Sequence, residues 1–103
     1  MAEGIEAILK ERGERYGEFT HHAEITQVLK AAMLRGLALS EEARARVQSR
    51  VAMMDFDQVE ALEMIAHKLG HILNGDPNYE DSWRDIAGYA TLVADRLLKP
   101  TRS

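Results

Sequence analysis

The chain contains no cysteine. That excludes a disulfide framework, a thiolate nucleophile and a structural zinc site of the cysteine type. Proline occurs twice, at Pro77 and Pro100, and no segment alternates apolar and polar residues in the manner of a half-buried strand. Positive charge is not in excess: the net charge is −4 and the sequence pI about 5.5. A general basic footprint is therefore missing, and duplex nucleic acid is not an expected principal partner; any phosphate site must be local. No apolar run approaches membrane-spanning length and the amino terminus carries no cleavable signal pattern, so the expectation is a cytoplasmic protein with no membrane partner.

What remains is a helix-forming chain. An apolar content of 46% over 103 residues excludes disorder as the main state and fits one domain, small enough that oligomerisation would help it. Ile5, Ile8 and Leu9 mark a short first helix ending near Gly13 or Gly17. Thr20 is placed to cap a second, whose stripe Ile25, Val28, Leu29 and Ala32 stops before Gly36. Ser40 can cap a third segment rich in Glu and Arg, with Val47 and Val51 facing inward. Asp55 and Gln58 have capping-box spacing, which breaks the chain at Met54–Asp55, a continuous helix from Ser40 to Asn74 being the alternative. Gly75 and Pro77 end the fourth helix, and a fifth runs from Asn78 or Asp81 to Leu98. The expected fold is an all-α bundle of four to five helices in a single domain over residues 1–99, with a short tail at 100–103. Its last two helices form an antiparallel hairpin, because the Asn74–Asn78 turn is too short for a crossover.

Most candidate chemistry lies between Gln58 and Tyr89. Val59, Leu62, Ile65, Ala66, Leu69, Ile72 and Leu73 trace one helical face, which leaves Glu60, Glu63, His67 and His71 on the other. Asp81 and Asp85 stand one turn apart beside the stripe Trp83, Ile86, Ala90, Val93 and Leu97. Acids at such spacing can converge on magnesium, which takes carboxylate oxygens and keeps waters for a bound phosphate. The bland alternative is a solvated face, with Asp81 a dipole-stabilising acid at a helix start. His67 and His71 are close enough on one helix to share a metal, though such pairs usually sit in solvent. His21 and His22 are adjacent, point to different faces, and are expected at the surface or at a helix start. Gly88 inside a helix implies close approach by a neighbouring helix or a ligand, and Trp83 and Tyr89 read as core or interface aromatics. Tyr16 and Phe19, near two glycines, are placed to stack on a base, and Lys68, Arg84, Arg12 and Arg15 are the candidate phosphate clamps.

The blocks Tyr16-Gly17-Glu18-Phe19, Glu60 to Lys68 (EALEMIAHK), Asn74-Gly75-Asp76-Pro77 and Asp81 to Ala90 (DSWRDIAGYA) resemble a family of small, largely uncharacterised phage and prophage proteins. More distantly, an acid pair on one helix followed by an acid-rich helix start resembles the nucleotide-modification-associated domains and the all-α MazG-like nucleoside triphosphate pyrophosphohydrolases. Those enzymes carry an E-x-x-E helix and an E-x-x-D helix around magnesium. Glu60 and Glu63 match the first pair and Asp85 the final aspartate of the second; Ser82 stands where the remaining acid belongs, so Asp81 would have to substitute. The resemblance implies a nucleotide-interacting protein in the cytoplasm of a phage host. Glu60, Glu63, Asp81 and Asp85 would hold Mg2+, and Lys68, Arg84, Tyr16 and Arg15 would contact the nucleotide.

Three functions stay open on this reading. The first is a magnesium-dependent nucleotide pyrophosphohydrolase. The second is a non-catalytic binder that sequesters a host nucleotide signal, which needs the cations and aromatics but no complete metal site. The third is an oligomeric interaction module without a ligand. A homo-oligomer, a dimer first, is expected because Met53, Met54, Met64 and Leu92 lack partners within one small bundle.

Overall fold

The computed structural model describes residues 2–99, which form five α-helices and contain no strand. These are α1 (Ala2–Tyr16), α2 (Phe19–Arg35), α3 (Glu41–Met53), α4 (Phe56–Asn74) and α5 (Glu80–Leu98). The fold is thus the all-α small bundle expected from the sequence; the expected tail at 100–103 lies outside the described residues. Local chemistry sets most of the ends. Gly17 and Gly36 take left-handed φ values of 82° and 73° just past α1 and α2, where a side chain would be strained. The Ser40 hydroxyl accepts from the Ala43 N–H at 3.2 Å, and Gln58 Oε1 accepts from the Asp55 N–H at 2.8 Å, so the chain does break between α3 and α4.

Thr20 is not a cap. Helix α2 begins at Phe19, one residue before it, and the Thr20 hydroxyl donates instead to the Glu18 carboxylate at 2.9 Å. The cause is tertiary: the Asn74 side-chain amide donates to the Tyr16 carbonyl at 3.0 Å and to the Glu18 carbonyl at 2.9 Å, which fixes where α2 enters.

Helix α4 is the centre of the molecule, flanked by α5 on one side and α2 on another. The α4–α5 hairpin is antiparallel. Arg96, late in α5, binds Asp57 and Asp55 at the start of α4 at 2.7 and 2.9 Å, and Lys68, late in α4, meets Asp85, early in α5, at 2.9 Å. Helix α2 also runs opposite to α4, since Glu18 lies by Asn74 and His22 by His67. The end of α1 is tied to the turn after α4 by the Asp76 N–H, which donates to the Arg15 carbonyl at 2.7 Å. Helix α3 leans on the end of α2, where Gln48 donates to the Arg35 carbonyl at 3.2 Å.

A helix packed on two sides has two buried faces, and this overturns the one-sided reading of α4. Ala61, Ala66, Gly70 and Ile72 are its buried residues, whereas Leu73, assigned to the apolar stripe, is 65% exposed. Apart from these the buried set is small: Ala31, His22, Thr26, Ser82 and Gly36. No large side chain among the described residues is fully buried, and Phe56, Leu98 and Phe19 stand in the open. Trp83, expected in a core or an interface, is half-exposed and donates to the Pro77 carbonyl at 2.8 Å, closing the α4–α5 turn. Among the described residues no helix is long and apolar enough to cross a membrane.

Candidate functional site

Helices α2 and α4 approach closely at Gly70. A Cβ on this residue would run into the Thr26 hydroxyl and the His22 ring, so only glycine lets α2 settle there. With α2 that close, His22 inserts between the helices and is buried, at 4% exposure. Its Nε2 lies 3.3 Å from Nδ1 of His67 and 3.3 Å from the Thr26 hydroxyl. One turn along α4, the His71 ring stacks on His22 with centroids 4.3 Å apart, and its other side is stacked by Tyr16 at 4.0 Å. Three imidazoles from two helices thus form one cluster. One ring nitrogen from each can be chosen so that all three lie within 4.8 Å of one another.

The cluster is electrically neutral near pH 7. Burial pushes the His71 ring down to about 4, and the neighbouring His22, His67, Lys68 and Arg12 add to the effect. His67 is lowered by burial and by the charges of His22, Lys68 and Lys30. His22 is lowered by burial; the Gly70 backbone beside it favours the protonated ring but only partly offsets the loss of water. Nδ1 of His22 and Nδ1 of His71 are both buried and hydrogen-bonded to nothing. Two orphaned nitrogens within one cluster are unusual, because a buried polar atom without a partner costs about 1–3 kcal/mol.

These rings form the floor of a cleft of about 570 Å³ between α1, α2 and α4. Its walls bring Tyr16, Phe19, Arg12 and Lys68 around His22, His67 and His71. Volume and composition suit a small ligand: cleft sites usually measure about 300–1,000 Å³, largely apolar with a few polar groups.

The residues expected to act together divide between this cleft and other surfaces. Tyr16 and Lys68 line the cleft, and so do Phe19 and Arg12. Arg15 points away from it, paired with Glu11 at 3.0 Å and lying 4.5 Å over the Tyr79 ring. Arg84 lies on the outer face of α5 and is paired with Glu80. Of the acids, Asp85 is held by Lys68, Asp81 accepts from the Tyr79 hydroxyl at 3.0 Å, Glu60 is exposed and Glu63 half-buried. Among the described residues the histidine trio is the group of three or more ligand-type side chains close enough to share an ion; no three of the four acids gather in that way.

His21 and His22 were expected at the surface or at a helix start; both lie in the first turn of α2, but His22 is the most enclosed of the three rings, and His67 and His71, expected to face solvent, are half-buried. The signal in the chain was His22 and Thr26 one turn apart, opposite a glycine set between His67 and His71.

An all-α bundle with an imidazole cluster at the base of a cleft lined by aromatics, two cations and the acid Glu18 is the class of protein that fold and site define. The chain belongs to the family described as Domain of unknown function (DUF6378), whose model matches residues 1–97. No curated protein and no solved structure matches it.

Proposed function

We propose that the protein binds a nucleotide or a nucleotide-derived anion in the cleft between α1, α2 and α4. The observation that carries this reading is the meeting of two aromatics, Tyr16 and Phe19, with two cations, Arg12 and Lys68, in one concavity. A base has a π-face to stack on the aromatics, worth about 1–3 kcal/mol per base. Phosphates take charge-assisted hydrogen bonds from the cations, each about 1.5–3 kcal/mol. Nothing in this arrangement requires turnover, so binding rather than hydrolysis is the primary reading.

Calorimetry with nucleoside triphosphates and cyclic nucleotides, in magnesium and separately in chelator, tests it. Binding is expected in both conditions, weakened about tenfold or more by Lys68→Ala and by Tyr16→Ala. Arg84→Ala is expected to leave it unchanged, because that guanidinium lies on another face, outside the cleft. Binding that needs magnesium and is lost in Glu63→Gln would instead favour the hydrolase built on Glu60, Glu63, Asp81 and Asp85. If no nucleotide binds in either condition, an interaction module without a ligand is the better description.

We infer also that the working unit is a homodimer. Its support is the scarcity of buried apolar side chains beside an open apolar groove between α4 and α5, lined by Met54, Ala61, Leu62, Ile65, Val93 and Leu97.

A further inference from the structure

We propose that His22, His67 and His71 form a binding site for a borderline divalent metal ion, Zn2+ being the best fit, with its open coordination position toward the cleft. The inference is independent of the nucleotide reading and differs from the magnesium site in ligand chemistry: imidazole nitrogen suits zinc, cobalt and nickel, whereas magnesium takes oxygen.

Geometry comes first. Ligands about 2.0–2.1 Å from a tetrahedral zinc lie about 3.3 Å from one another. The His22 Nε2 to His67 Nδ1 separation is 3.3 Å, and a nitrogen of His71 completes a set lying within 4.8 Å. The His71 ring, stacked between Tyr16 and His22 with no hydrogen bond at its Nδ1, would have to shift for its nitrogen to reach ligand distance.

The state of the rings is the second support. A metal ligand must be an imidazole with a free lone pair on the ring nitrogen that faces the ion. An ordinary packed histidine satisfies its nitrogens with neighbouring donors and acceptors, yet Nδ1 of His71 is buried and unpartnered, a lone pair left for an ion. The Thr26 hydroxyl, 3.3 Å from the same His22 Nε2, would give up that contact to the ion.

Three protein nitrogens leave one or two positions on the ion for water or for a ligand donor. All three rings line the cleft, so those positions open onto the space bounded by Arg12, Tyr16, Phe19 and Lys68. A bound ion there would present a positive charge to any anion entering between the two cations.

The test uses untagged, chelator-stripped full-length protein titrated with CoCl2 and then ZnCl2. Expected is one Co2+ per chain, with the intense visible bands of four- or five-coordinate cobalt, displaced by one equivalent of Zn2+. His67→Gln and His71→Gln should each weaken Zn2+ binding about 30-fold or more, while His21→Gln, on the exposed neighbour of His22, should leave it unchanged. MgCl2 should not compete. Because His22 is buried and its replacement endangers the fold, its role is read in the unmodified protein: on adding Zn2+ the ring resonances of His22, His67 and His71 should shift together while His21 stays. A weak octahedral cobalt spectrum, binding that survives His67→Gln, or equal loss in His21→Gln would overturn the assignment.

Discussion

At the scale of single residues, Gly70 sets how near α2 comes to α4. Its missing Cβ allows α2 to reach α4, and the His22 ring it would strike has no room to move at 4% exposure. Gly70→Ala should therefore lower stability by about 1–2 kcal/mol, overpacking outweighing the roughly 1 kcal/mol of helix propensity that alanine returns. Urea unfolding measures this, and an unchanged or higher midpoint would contradict the close approach. The imidazoles give a second prediction. The unfolded chain takes up protons on these rings as pH drops through about 6.5, but folded His71 resists until about 4. Between those values the unfolded state binds more protons, so stability is full near pH 7, declines from about 6.5 to 4, and flattens below. For metal-free protein the loss from His71 should be about 1–2 kcal/mol after allowing for its partial exposure, with smaller losses in the same direction from His22 and His67. A denaturation midpoint constant from pH 7 to pH 4 would contradict it.

At the scale of elements, helix ends were legible because their signals are local. Gly17, Gly36, Ser40, and Asp55 with Gln58 each act through backbone geometry or a neighbour within a few residues, and the break between α3 and α4 falls where the capping spacing puts it; Gly75 ends α4 where the Arg15–Tyr16 backbone of α1 leaves no room for a Cβ. The inner faces were less legible. Periodicity reports that α4 has an apolar stripe, but not that other helices cover the opposite side; His67 and His71 become half-buried through His22 of α2, 45 positions before His67, and Tyr16 of α1. Gly88 and Gly70 show the same limit. Both sit inside helices and both could mark close packing, yet only Gly70 does; a Cβ at Gly88 meets nothing within 4 Å. Gly88→Ala should accordingly stabilise α5 by about 0.5–1 kcal/mol through propensity alone. Thermal melting checks this, and a lowered Tm would mean that a partner covers that surface.

At the scale of the whole molecule the chain is too open for its size. A folded chain of this length has a radius of gyration of about 13 Å, against 16.7 Å here. Its accessible surface is 7914 Å², where about 5,800 Å² is usual for 11.6 kDa. The excess of roughly 2,000 Å² is of the size a protomer contributes to an obligate interface, and the exposed Leu92, Leu97 and Leu98 on α5 lie on the helix that borders the apolar α4–α5 groove. Light scattering at micromolar concentration should give the mass of a dimer, and a monomer throughout would refute the inference. The cleft is the central claim. Its most direct test is to follow histidine ring resonances while a nucleoside triphosphate is added in the presence of chelator. Shifts at His67 and His71, which line the cleft floor, with His21 unmoved, are the predicted result. Ring resonances that stay fixed at saturating nucleotide, or changes confined to the Arg84 face of α5, would contradict it.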